Sequence, residues 1–174
     1  MNKIATSFAA GVMALSPAAA LAAKDSAKLL EANKALALEA QKLWDTGLKV
    51  SADDILAKTY VNHQDTNRVS GMQTKDRDAY LAVIEDFERT FSPSEVTIHF
   101  QVAEGDKVST MWSNTVTFSG PFMGIEPTNQ QYTYHGIQID RIEDGRIVES
   151  WVNWDKFDLF NDLGLVNEPV SPTS

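Results

Sequence analysis

The chain has no cysteine among its 174 residues, only three histidines, six prolines and nine glycines, and fewer cations than anions. Without cysteine there is no disulfide framework, no thiolate metal site and no thiol nucleophile. The 15 Lys and Arg against 24 Asp and Glu give a formal charge of −9, which leaves no surplus cation to offset nucleic-acid phosphates. The histidines stand at 63, 99 and 135, in neither an HxH nor an HExxH spacing, so the sequence predicts no metal site. No Gly-rich loop follows a strand pattern and no GxSxG is present, which removes support for nucleotide binding and for acyl-enzyme hydrolysis. What remains is a compact domain whose chemistry rests on Asp, Glu, His, Tyr, Trp and amides, with 43% hydrophobic residues to build a core.

The first residues read as an export signal. Lys3 supplies the charged start, residues 4–15 are apolar or small, Ser16-Pro17 breaks the run, and Ala20-Leu21-Ala22 is a small-x-small ending. An apolar run of about 12 residues is short for a membrane span, which needs ~20. The expectation is a signal of residues 1–22, cleaved after Ala22 or one residue later. The mature chain, residues 23–174, then ends in a disordered tail at 167–174, lies in the periplasm or outside the cell, and keeps no stable membrane anchor.

No repeat or linker divides the remainder, which reads as one domain. Residues 28–47 carry Leu29, Leu36, Ala40, Leu43 and Trp44 at helical spacing. Ser51 with Asp54 three residues later signals a short helix ending near Lys58, and residues 74–91 predict a third helix, closed by Ser92-Pro93. The period then changes to two: strands are predicted at 96–102, 107–119, 130–142 and 146–154, and a short strand begins near Thr59. Helices followed by consecutive strands indicate an α+β fold, an antiparallel sheet bent around a long helix so as to enclose a pocket. Such a sheet has one outer face free for a second copy.

Two groups of residues are candidates for chemistry. On the last strand Glu149, Trp151, Asn153 and Asp155 share one face, with Val148, Ser150, Val152 and Trp154 on the other. The first face is either solvated or pocket-lining, and a carboxylate beside an indole in a dry pocket would have a raised pKa suited to acid–base work. His63 and Asp65 also share parity, so Asp65 either orients the imidazole or caps a loop. His99 and His135 read as ordinary exposed or satisfied residues.

The stretches Phe122-Met123-Gly124-Ile125-Glu126-Pro127-Thr128 and Gly136-Ile137-Gln138-Ile139-Asp140-Arg141-Ile142-Glu143-Asp144-Gly145-Arg146-Ile147-Val148-Glu149-Ser150-Trp151, followed by Asp155 and Leu163-Gly164, resemble the SnoaL-like polyketide cyclase (ester cyclase) family. The Asn62-His63-Gln64-Asp65 segment fits the same order, and the likeness covers about residues 30–165. The resemblance implies the NTF2-like cone, a curved antiparallel sheet with a long N-terminal helix and two further helices around an apolar pocket. It also implies association through the sheet and aldol ring closure by a single Asp without metal or organic cofactor. That Asp matches Asp155, four residues after Trp151, and His63 matches the family's pocket histidine. Glu149, Trp151, Asn153, Asp65 and Phe122 are the expected substrate-binding residues. Thr117-Phe118-Ser119-Gly120 departs from the family's Thr-His-x-Gly. The expected function is therefore acid–base chemistry on a small hydrophobic carbonyl compound; the alternative is a non-catalytic periplasmic binding protein with the same pocket.

Overall fold

The computed structural model describes residues 16–45, 51–64 and 76–166. The first 15 residues of the expected signal, Asp65 and the expected tail lie outside the described residues. Helix α1 runs Pro17–Gln41 and continues as a 3-10 turn, Lys42–Trp44. It starts earlier than the apolar stripe alone predicts. Ser16 accepts a hydrogen bond from the Ala19 N–H at 3.3 Å and Pro17 occupies the first turn, so the pair that breaks the apolar run is also a helix start. Leu21 and Leu29 are exposed, and packing begins further on, with Asn33, Ala37, Ala40 and Gln41 buried. The buried stripe thus includes two amides.

Helix α2 is a single turn, Ala52–Ile55, because Leu56 already enters strand β1, Leu56–Gln64. Helix α3, Arg77–Thr90, is capped by the Asp76 carboxylate, which accepts from the Ala79 N–H at 2.8 Å. Four strands follow: β2 Phe91–Glu104, β3 Lys107–Phe118, β4 Gln131–Glu143 and β5 Arg146–Trp154, with a short α4 at Lys156–Asp162. The β4–β5 turn is tight, with Asp144 and Gly145 both at positive φ.

The sheet order is β1-β5-β4-β3-β2. Four strands form the antiparallel meander that the period-two pattern predicts, while β1 joins β5 in parallel, pairing His63 with Trp151. The inner face is read directly from β3, where Val108, Thr110, Trp112, Asn114, Val116 and Phe118 are all buried. On β4 the same face carries Tyr134, Gly136, Gln138, Asp140 and Ile142. A register shift at Arg141/Ile142 turns Ile147 inward along with Ser150 and Val152, although their parity differs.

Two apolar clusters fill the cone. One joins Ala37 and Ala40 of α1 and Tyr80 and Ile84 of α3 to Tyr60, Val108, Ile142 and Ile147. The other joins Phe91, Val116, Phe118, Tyr134 and Val152 to Leu159 and Leu163 around α4. Between them, at Trp112 and Asn114, the packing opens into a cavity.

Candidate functional site

The cavity has a volume of about 140 Å³. Aromatic and aliphatic walls come from Trp44, Phe87, Val96, Trp112, Tyr134 and Trp154, and Gln41, Gln64, Asn114 and Gln138 add amides. Gly136 makes this geometry possible. A Cβ there would lie 2.3 Å from the Trp112 ring, so only glycine lets that indole lie against β4.

Beneath Gln138 lies a buried polar network. The Gln138 side-chain amide donates to Asp140 Oδ1 at 2.7 Å and the Ser150 hydroxyl donates to the same oxygen at 2.5 Å, while Asp140 Oδ2 has no partner among the described residues. Asp140 is fully buried, and desolvation raises its carboxyl to a pKa of about 6 against the lowering effect of the Ser150 and Gln138 hydrogen bonds. Tyr60 and Tyr80 pack alongside with ring centroids 5.0 Å apart; Asn62 Nδ2 donates to the Tyr60 hydroxyl and Trp44 Nε1 to that of Tyr80, both at 2.9 Å. Burial, chiefly, pushes both phenols above their ordinary range, so they stay neutral donors. Asn114 completes the polar set by donating to the Tyr134 hydroxyl at 3.2 Å.

The residues singled out from the last strand lie on the other side of the sheet. Glu149, Trp151 and Asn153 face outward, and His63 faces outward with them from β1. The shared face is therefore the solvated one; the cavity face of β5 is the one bearing Ser150, Val152 and Trp154. His63 Nε2 and Glu149 Oε1 are 2.8 Å apart, Arg141 Nε donates to Glu149 Oε2 at 2.9 Å, and the His63 ring stacks on Trp151 with centroids 5.4 Å apart. The His63 hydrogen bond and the Arg141 guanidinium hold the Glu149 carboxyl below its ordinary range, the reverse of the rise expected beside an indole in a dry pocket.

Asp155 is exposed and caps α4, its Oδ1 accepting from the Asp158 N–H at 3.0 Å. It stands four residues beyond Trp151, about 13 Å along the strand direction from the His63 level, so Asp155 and His63 do not form one site. Phe122 packs on Phe91 and Phe160 in the loop that closes the second cluster and does not wall the cavity. Neither Gln41, Gln138 nor Asp140 was among the residues expected from sequence. The signal was parity: Gln138 and Asp140 alternate in step with Tyr134 and Ile142, and Gln41 falls one position after Ala40 on the buried stripe.

The outer face also carries an exposed apolar band. By register, Phe100, Met111, Ile137 and Asn153 form one cross-strand row and Val102, Ser109, Ile139, Trp151 and His63 the next. Phe100 and Val102 are about three-fifths exposed. Among the described residues no cluster of three or more acidic or histidine side chains is arranged to hold a metal ion, and no helix is long and apolar enough to cross a membrane.

A bent sheet closed over helices around a cavity is the architecture of the NTF2-like folds. The family model of SnoaL-like polyketide cyclases matches residues 34–163, and the chain belongs to that family. Among solved structures it is similar to AclR of Streptomyces galilaeus, named as a candidate hydroxylase (TM-score 0.68, 23% identity, covering 81% of this chain and 91% of that one). It is also similar to IdmH of Streptomyces antibioticus, named as a candidate polyketide cyclase (TM-score 0.67, 25% identity, 76% and 98% covered). A candidate polyketide cyclase of Acidithiobacillus ferrooxidans aligns with TM-score 0.68 at 20% identity, covering 78% of this chain and 96% of that one. No curated protein matches. The reactions named as candidates on this one fold differ, a hydroxylase and cyclases, and the fold alone is no argument for either.

Proposed function

We propose that the protein is a cofactor-independent cyclase or isomerase in which Asp140 is the acid–base group, acting on a small carbonyl compound held in the central cavity. Family membership supports a cyclase- or isomerase-type activity. The observation that carries the assignment to Asp140 is a fully buried carboxyl with one unpartnered oxygen directly beneath the cavity-lining Gln138. A carboxylate with a pKa of about 6 is ionised at neutral pH and still basic enough to take a proton from carbon next to a carbonyl.

The reaction balances on this one group. The Asp140 carboxylate accepts the α-proton as the C–H pair moves into an enolate. In cyclisation the enolate carbon attacks a second carbonyl, a C–C bond forms, the C=O π pair becomes an alkoxide, and Asp140 returns the proton to it. In isomerisation the proton returns to a different carbon. Gln138 stands between Asp140 and the cavity, so transfer runs through one water or follows displacement of the Gln138 amide by the ligand. That screening favours the second reading, a binding protein that uses the cavity without chemistry.

The test is incubation of the protein with small aromatic ketones in D2O, with α-deuteration followed by mass spectrometry. Asp140→Asn keeps an acceptor for Ser150 and Gln138 and should cut the exchange rate ~10²–10⁴-fold. Exchange that survives in this variant overturns the assignment; no exchange above background in the unaltered protein favours the binding reading.

We also retain export as part of the proposal, on the pattern of residues 1–22. The apolar outer band, flanked by Glu104, Lys107, Arg141 and Glu149 in one cross-strand row of both charge signs, supports pairing of two copies face to face.

A further inference from the structure

We propose that the cavity selects a neutral, single-ring compound bearing a hydrogen-bond-accepting carbonyl, held by the side-chain N–H groups of Gln41, Trp112 and Trp154, and rejects carboxylates. The inference rests on the reading of this cavity as the substrate site and adds what the substrate must be. Among the described residues only a few buried side-chain nitrogens and oxygens lack a partner, and three of the nitrogens, Gln41 Nε2, Trp112 Nε1 and Trp154 Nε1, belong to residues that wall this one cavity. Gln41 and Trp112 are more than nine-tenths buried. A buried donor left unpaired costs about 1–3 kcal/mol, and an acceptor brought into the cavity that these three residues wall would supply the missing partner.

The remaining features fix the rest of the ligand's character. The described lining contains neither Lys, Arg nor His, and Asp140 lies beneath it, so a carboxylate would lose its hydration without gaining a cation. An apolar cavity of about 150 Å³ holds a benzene ring, so the 140 Å³ here accommodates one ring. The indole and phenyl walls supply flat faces for it.

The experiment uses the full chain and three probes of similar size: acetophenone, ethylbenzene and benzoate. Binding is read by quenching of tryptophan fluorescence, since three of the four tryptophans, Trp44, Trp112 and Trp154, line the cavity. Acetophenone should bind at least tenfold more tightly than ethylbenzene at pH 7.5, and benzoate should not compete. Gln41→Leu, which replaces an amide whose buried nitrogen has no partner by an apolar group of similar size, should reduce that preference to under threefold while ethylbenzene binds as well or better. Its folding is checked by an unchanged or raised melting temperature. Equal binding of acetophenone and ethylbenzene, competition by benzoate, or no binding of any probe at millimolar concentration would each overturn the proposal. The two readings separate in Asp140→Asn: retained discrimination with exchange unaffected sinks the acid–base role alone, and exchange lost without any discrimination in either protein sinks this one alone.

Discussion

Replacing Asp140 by asparagine should change how stability depends on pH before any substrate is known. Burial raises the carboxyl from 3.8 to about 6 in the folded chain, while the unfolded chain keeps the ordinary value. Between about pH 4 and pH 6 the folded state therefore holds a proton that the unfolded state has released. Stability is fully present below pH 4, falls as pH rises through this window, and levels off above it. The rise from 3.8 to about 6 is worth about 3 kcal/mol, undiminished by solvent because Asp140 is fully buried. The neutral asparagine has no such slope. The two proteins should be nearly equal in urea denaturation at pH 4, and at pH 7.5 Asp140→Asn should be the more stable by about 3 kcal/mol, or some 6–12 °C for a domain of this size. Every other titrating group cancels in the difference. A difference that stays constant across this range, or a variant less stable at pH 7.5, would refute the claim that the site holds its carboxyl at a cost to the fold.

Further outcomes follow from the same geometry. Gly136→Ala places a methyl 2.3 Å from the Trp112 ring and should cost about 1–3 kcal/mol in urea denaturation, with weakened acetophenone binding as the indole shifts. Asp155→Ala removes the cap of α4 and should cost about 1 kcal/mol, with ketone α-deuteration unchanged within a few-fold; a loss of exchange comparable to that of Asp140→Asn would return the acid–base role to Asp155. Phe100→Asp together with Val102→Asp should convert any dimer seen by sedimentation to monomer without loss of exchange; a dimer that persists excludes the outer face as its interface.

Much of the fold was legible because the strand segments keep a period of two: burial alternates residue by residue from Lys107 to Trp112 and from Thr133 to Asp140, although on β4 the buried set includes Gln138 and Asp140 and the exposed set Ile137 and Ile139. The parallel pairing of β1 with β5 was not legible, since edge pairing depends on where α2 and α3 return the chain. The site was harder for a definite physical reason. A face with two carboxylates and an amide attracts the eye, yet on β5 it is the solvated face, where charges are stable because water and Arg141 reach them. The groups with chemical leverage, Asp140, Gln138 and Gln41, are single polar residues inside apolar stripes, and strand parity alone gives their face without giving their partners. Ser150, ten positions from Asp140, reaches it only because the β4–β5 register sets the two opposite each other.

Proton transfer by Asp140 to and from a ligand in the cavity is read from the pH profile of ketone α-deuteration. The rate should rise with pH through an inflection near 6, as the carboxylate forms, and fall ~10²–10⁴-fold in Asp140→Asn. A rate of unaltered size and pH dependence in that variant would contradict it.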